Sequence, residues 1–114
     1  MFWKKYTWQK AAENEADIKL NRTGIGTIEL NGKKICVLKQ KNDWYGFAYH
    51  CPHAGAAMTE SYIDLSGNIV CPLHGYKFSL KNGRSKSPEG FCIKVYPVEQ
   101  RKDGFYIGFE DKEK

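Results

Sequence analysis

Two cysteine–histidine pairs, Cys51-Pro52-His53 and Cys71-Pro72-Leu73-His74, are separated by seventeen residues and spell C-x-H-x17-C-x2-H. No other feature restricts the fold as tightly. Each pair occupies its own short loop, so all four side chains can serve one centre only if two distant loops meet. A zinc site built from sequence-local pairs usually reads as two cysteines followed by two histidines. Here cysteine and histidine alternate along the chain. That order suits a two-iron cluster with the cysteines on one iron and the histidines on the other. A structural zinc site is the competing reading.

The flanking sequence reads as short strands joined by turns, with almost no helical periodicity. A first strand is expected at Lys4–Trp8, followed by a loop or partial turn over Lys10–Ala16. Thr27–Leu30 and Lys34–Lys39 flank Asn31-Gly32, a pair suited to a type I′ hairpin turn because both positions need positive φ. After a turn at Lys41-Asn42-Asp43, Trp44–Tyr49 runs into the first cysteine loop. Tyr62–Leu65 and Asn68–Cys71 flank a Ser66-Gly67 turn that would bring the second loop beside the first. Lys77–Leu80 leads into a Lys81-Asn82-Gly83 turn. Cys92–Glu99 and Phe105–Glu110 bracket Lys102-Asp103-Gly104, another hairpin signal. Phe105, Ile107 and Phe109 alternate with more polar or small residues, as a strand with one buried face requires. Pro97 implies an edge strand or a bulge. The pattern predicts an all-β fold, an antiparallel sandwich or barrel.

At 114 residues the chain is long enough for one core and too short for two, so it reads as a single domain over 1–114. Mean hydropathy is −0.61, and no apolar run of about 18 residues suggests a membrane span. The N-terminal Met1–Trp8 stretch alternates polar and aromatic residues and lacks the apolar core of a signal peptide. A net charge of +5 raises the question of nucleic acid, but no long Lys/Arg run or recognised nucleic-acid motif accompanies it. Lys77, Lys81, Arg84 and Lys86 gather after the second loop, where they read as a solvated face or a docking patch for an acidic redox partner. The two remaining cysteines, Cys36 and Cys92, lie in apolar runs and are expected as small buried thiols.

The motif resembles that of the Rieske iron–sulfur proteins. The match runs through Cys51-Pro52-His53-Ala54-Gly55-Ala56 and Cys71-Pro72-Leu73-His74-Gly75-Tyr76-Lys77-Phe78, then Gly83, Pro88, Tyr96-Pro97-Val98 and Asp103-Gly104-Phe105-Tyr106. The resemblance implies one [2Fe-2S] cluster held by Cys51, His53, Cys71 and His74. It also implies a nested architecture: a β base from 1–47 and 79–114, and an inserted cluster-binding subdomain over about 48–78. Pro88 would lie in a third loop shielding the cluster. Gly55 and Gly75 would let backbone N–H groups approach the sulfides. His50 is not expected as a ligand, because neighbours on extended chain point opposite ways.

Imidazole ligands leave their iron less electron-rich than thiolates do, so the family's potentials span roughly −150 to +300 mV. High-potential members resemble CTHLGC and CPCHGS, with a disulfide clamping the loops and a serine near the cluster. This chain has Ala56, Leu73 and Tyr76 at the corresponding positions, which predicts a value in the lower part of the range. Should the second ring nitrogens of His53 and His74 face solvent, the potential is expected to fall with rising pH.

Three histidines, two of them committed to the cluster, cannot also furnish the two-histidine, one-carboxylate iron site of an oxygenase. No GxGxxG fingerprint accompanies the motif. The expectation is therefore an electron carrier and not an enzyme. It would resemble the small Rieske-type ferredoxins that pass single electrons from a reductase to a terminal oxygenase or reductase. Respiratory and photosynthetic Rieske subunits typically carry a membrane anchor, so a soluble, cytoplasmic protein, monomeric when alone, is expected. The alternative is a small subunit bound within a larger reductase, such as a nitrite reductase.

Overall fold

A computed structural model describes residues 5–52, 55, 57–72, 75–85 and 91–110. Strand β1 covers Tyr6–Ala12, β2 Ile25–Leu30, β3 Lys33–Gln40 and β4 Asp43–Ala48. After the first cysteine turn come β5 (Tyr62–Ile63), β6 (Asn68–Val70) and β7 (Lys77–Ser79); β8 (Val95–Arg101) and β9 (Gly104–Glu110) complete the order. Six strands form one antiparallel sheet in the order β1-β9-β8-β4-β3-β2, and β5-β6-β7 form a second. The edge strands β1 and β2 approach each other, so the larger sheet curls toward a barrel.

The register explains the two apolar layers. Ile35-Cys36-Val37-Leu38 is fully buried on β3, and successive residues of a strand face opposite ways. Ile35 and Val37 point into the curled sheet with Trp44, Phe105 and Ile107. Cys36 and Leu38 point outward, into a second core with Phe47, Met58, Ile69 and Phe78. That second core joins the two sheets, and Cys51 and Cys71 belong to it. Burial of each large apolar side chain there contributes about 1.5–3 kcal/mol.

Most expected strands appear, with two informative differences. The first strand begins at Tyr6 and continues through a bulge to Ala12, because β9 offers a pairing edge along its whole length. The chain then makes a single 3-10 turn at Glu15–Asp17, capped by the Asn14 side chain. At the β2–β3 hairpin, Asn31 and Gly32 have φ of 54° and 75°, as a type I′ turn requires. Pro97 lies on an interior strand and not at an edge. Strand β8 pairs with β4 through Val95–Pro97 and with β9 from Val98 onward. The residue without an N–H therefore falls where the strand changes partners, a place that costs little in ladder bonds.

Candidate metal centre

Two turns with matching closing bonds carry the cysteines. In the first, the Gly55 N–H donates to the Cys51 carbonyl at 2.7 Å; in the second, the Gly75 N–H donates to the Cys71 carbonyl at 3.0 Å. Both glycines are left-handed, with φ of 72° and 71°. Each cysteine thus opens a five-residue turn that a glycine closes. A Cβ at either glycine would meet nothing within 4 Å, so the requirement is for the torsion and not for space. Their own N–H groups close the turns, the role of an ordinary turn glycine.

The surroundings of the two turns differ. After β4, Tyr49 accepts from the Met58 N–H at 2.7 Å, and His50 bridges to Ala57, returning the first loop to its origin. Against the Gly55 carbonyl, His50 Nδ1 sits at 3.0 Å and donates, since a carbonyl only accepts. His50 is thereby occupied in shaping the loop. The second turn joins the neighbouring strands β6 and β7 and is closed again by the Cys71 N–H donating to the Tyr76 carbonyl at 2.8 Å. The Tyr76 ring is half-buried, edge-on to Phe91 at 6.2 Å.

Asn21 was not singled out by sequence and is a main support of the first loop. Its Oδ1 accepts from the backbone N–H groups of Thr23 at 2.9 Å and Ile25 at 3.0 Å. Its Nδ2 donates to the Thr59 carbonyl at 2.7 Å, tying the turn after the first loop to the base. An asparagine followed closely by Thr and Gly is an Asx-turn signal, but the long-range partner leaves no trace in sequence. At the turn between β5 and β6, Asp64 is held below the usual carboxylate range by backbone and side-chain hydrogen bonds from Asn68, with Ser66 and Lys77 adding to the effect.

Cys51 and Cys71 are almost fully buried, 2% and 1% exposed, in the apolar core with Phe47, Ile69 and Phe78. A thiolate in such a place is costly unless a cation binds it. Two such sulfurs at the heads of matching turns fit the cysteine half of an iron–sulfur site. His53, His74, Ala56, Leu73 and Pro88 lie outside the described residues. Cys36, also fully buried in this core, has its thiol pushed up to about 12 by burial. It sits mid-strand, away from either turn. The expectation of a second buried thiol fails at Cys92, which is exposed. Its neighbour Ile93 points inward, so alternation turns Cys92 out.

A curled antiparallel base, a small second sheet and paired cysteine turns define a two-loop β protein. The chain belongs to the Rieske [2Fe-2S] domain family, whose model matches residues 7–97, and it carries one Rieske cluster. It is 22% identical over 86 residues to the ferredoxin component of the alkene monooxygenase system of Xanthobacter autotrophicus, covering 75% of this chain and 70% of that one. Among solved structures, it resembles a chain in the complex of reduced oxygenase and oxidized ferredoxin of carbazole 1,9a-dioxygenase. That match has a TM-score of 0.72 and 25% identity, and covers 94% of this chain and 97% of that one. A protein assigned as an NADH-dependent nitrite reductase small subunit from Mycobacterium tuberculosis shares the fold, with a TM-score of 0.75 at 18% identity and coverage of 92% and 96%.

Proposed function

We propose that this protein is the ferredoxin of a multicomponent oxygenase system, receiving single electrons from a reductase and delivering them to a terminal oxygenase in the cytoplasm. The observation that carries this reading is the pair of buried cysteines heading matched turns, within a chain of the Rieske family. In this reading Cys51 and Cys71 hold one iron, and His53 and His74 hold the other. The segment from about 48 to 78 is the cluster-binding subdomain, and 1–47 and 79–114 form its base. When bound, the cluster supplies a one-electron couple.

The chain's own contribution is to hold two thiolates in a dry core and keep the sulfur side away from water. Gly55 and Gly75 fix the turn geometry, and His50 holds the first loop by its bond to the Gly55 carbonyl. No helix among the described residues is long and apolar enough to cross a membrane.

Anaerobic purification, iron and zinc analysis, visible absorption and EPR of the dithionite-reduced protein test the reading together. The expected result is iron without zinc, a Rieske EPR signal, and loss of both iron and colour in Cys51→Ser and Cys71→Ser. A colourless, zinc-loaded protein would sink it. The midpoint potential is expected in the lower part of the family range, and a value above about +200 mV would contradict the reading of Ala56, Leu73 and Tyr76.

A further inference from the structure

Of the four cations expected beside the second loop, Lys77 and Lys81 are arranged differently in three dimensions, while Arg84 is exposed. Lys77 is paired with Asp64 at 3.5 Å. Lys81 shares a cavity of about 410 Å³ with Lys41 and Asp43, at the start of β4 and hence at the opposite end of that strand from the first cysteine turn. Lys86 lies outside the described residues.

Three other lysines gather where β4 enters the first turn. Ile35 pairs with Ala48, so the preceding residues Lys33 and Lys34 flank Tyr49 and His50. The Lys34 ammonium lies 5.2 Å from the centre of the Tyr49 ring, and Tyr49 meets His50 edge-on at 4.9 Å. From the other side, the Lys94 carbonyl accepts from the Ala48 N–H at 2.9 Å, while the Lys94 ammonium lies 5.9 Å from the centre of the Tyr96 ring. Lys33, Lys34 and Lys94 are exposed, and among the described residues none is in an ion pair. Nearby carboxylates are Glu29, opposite Lys34 in the register, and Glu60 on the 3-10 turn after the loop. The balance at this rim is positive.

We infer that Lys33, Lys34 and Lys94 form a basic rim around the first cysteine turn that docks the acidic face of a redox protein partner. The inference rests on the electron-carrier function and adds where the partner approaches and what charge it bears. A rim of this kind acts on encounter: it raises the association rate with an anionic surface and loses that effect as salt screens it. The Lys34 ammonium lies over the Tyr49 ring, whose electron-rich face attracts it.

Small one-electron oxidants test the local field without a known partner. The dithionite-reduced holoprotein, freed of excess reductant, is oxidised in a stopped-flow instrument by hexacyanoferrate(III) or by tris(phenanthroline)cobalt(III), each taking one electron. Two triple variants carry the same change in net charge: Lys33→Glu/Lys34→Glu/Lys94→Glu at the rim, and Lys41→Glu/Lys81→Glu/Lys102→Glu at the far turns. The rim variant is expected to react at least about tenfold more slowly with the anionic reagent at low salt, and faster with the cationic one. The far variant should stay within about twofold of the parent, and the rim effect should vanish at about 0.5 M salt. Unchanged EPR spectra and midpoint potentials show that each variant keeps its cluster. Equal responses of the two variants, or a rate independent of salt, would overturn the docking rim alone. An EPR-silent, colourless protein would overturn the carrier reading, and the rim with it.

Discussion

In the first cysteine turn the chain leaves β4 at Ala48 and folds back on its own exit, whereas in the second it steps between two neighbouring strands. Their hydrogen bonds and glycine torsions nearly coincide. What supports them does not. Ladder pairs Val70–Lys77 and Ile69–Phe78 sit directly under the second turn, so its support is local. The first depends on the Tyr49–Met58 bond, on His50, and on Asn21 acting from thirty-eight residues away. One backbone form can thus be stabilised either by a hairpin or by long-range contacts. This equips two unrelated stretches of sequence to present equivalent sulfurs.

A third sulfur in the same core shows what the turns add. Cys36 is as buried as Cys51 and Cys71 but lies on β3, with its thiol pushed up to about 12 by loss of solvation. Because the folded value lies above the ordinary 9.0, its contribution to stability is complete below pH 9. It is then lost as pH rises toward 12. By pH 11 the loss amounts to about 3 kcal/mol. Denaturant titrations at pH 8 and pH 11 should show this fall in the wild type and a much shallower one in Cys36→Ala. Tyr96, also raised by burial, contributes to the alkaline limb in both proteins, so the difference between them isolates the thiol. Iron content should be the same in both. An equal alkaline loss in the variant, or loss of iron, would break the distinction between turn and strand cysteines.

Substitution at the closing glycines probes the likeness of the turns directly. Gly55→Ala and Gly75→Ala each force an L-residue into the left-handed region, at about 1–2 kcal/mol, partly offset by a stiffer unfolded chain. Neither Cβ meets an obstacle, so the two variants should lose similar stability, about 4 °C in Tm. Asparagine, which tolerates this torsion better, should recover part of the loss at both sites. A much larger effect at one position would mean that the turns are equivalent in form but not in strain.

Local chemistry made much of this legible in the sequence. The Asn31-Gly32 turn, the apolar run at Ile35–Leu38 and the two cysteine loops follow from torsional preference, strand alternation and ligand spacing. Most of the misreadings share one cause, since they needed a partner strand that sequence does not name. Pro97 was read as an edge or a bulge because its two pairing partners, β4 and β9, were unknown. Lys81 was placed by its nearness in sequence to the second loop, yet β7 carries the chain away from it to the start of β4. Lys33, Lys34 and Lys94 were invisible as a group until the register of β3, β4 and β8 set them around one turn. Cys92 was assigned by the hydrophobicity of its neighbours, and a shift of one position along an extended segment reversed its face.

The smallest expected effect bears most closely on the difference in support. Asn21→Ala removes the bond to Thr59 and the acceptor for the Thr23 and Ile25 N–H groups, in an exposed setting where water replaces much of what is lost. The net cost should be below about 1 kcal/mol, too little to shift global unfolding clearly. Its signature is local, because the bond ties the first loop to β2 and has no counterpart at the second. Hydrogen exchange followed amide by amide should show Gly55 and Met58 opening faster in the variant. Gly75 and Cys71, held by the β6–β7 hairpin, should keep the wild-type rates. Equal acceleration in both turns would mean that they rest on one shared support, and that the contrast between a tertiary and a hairpin-held loop is mistaken.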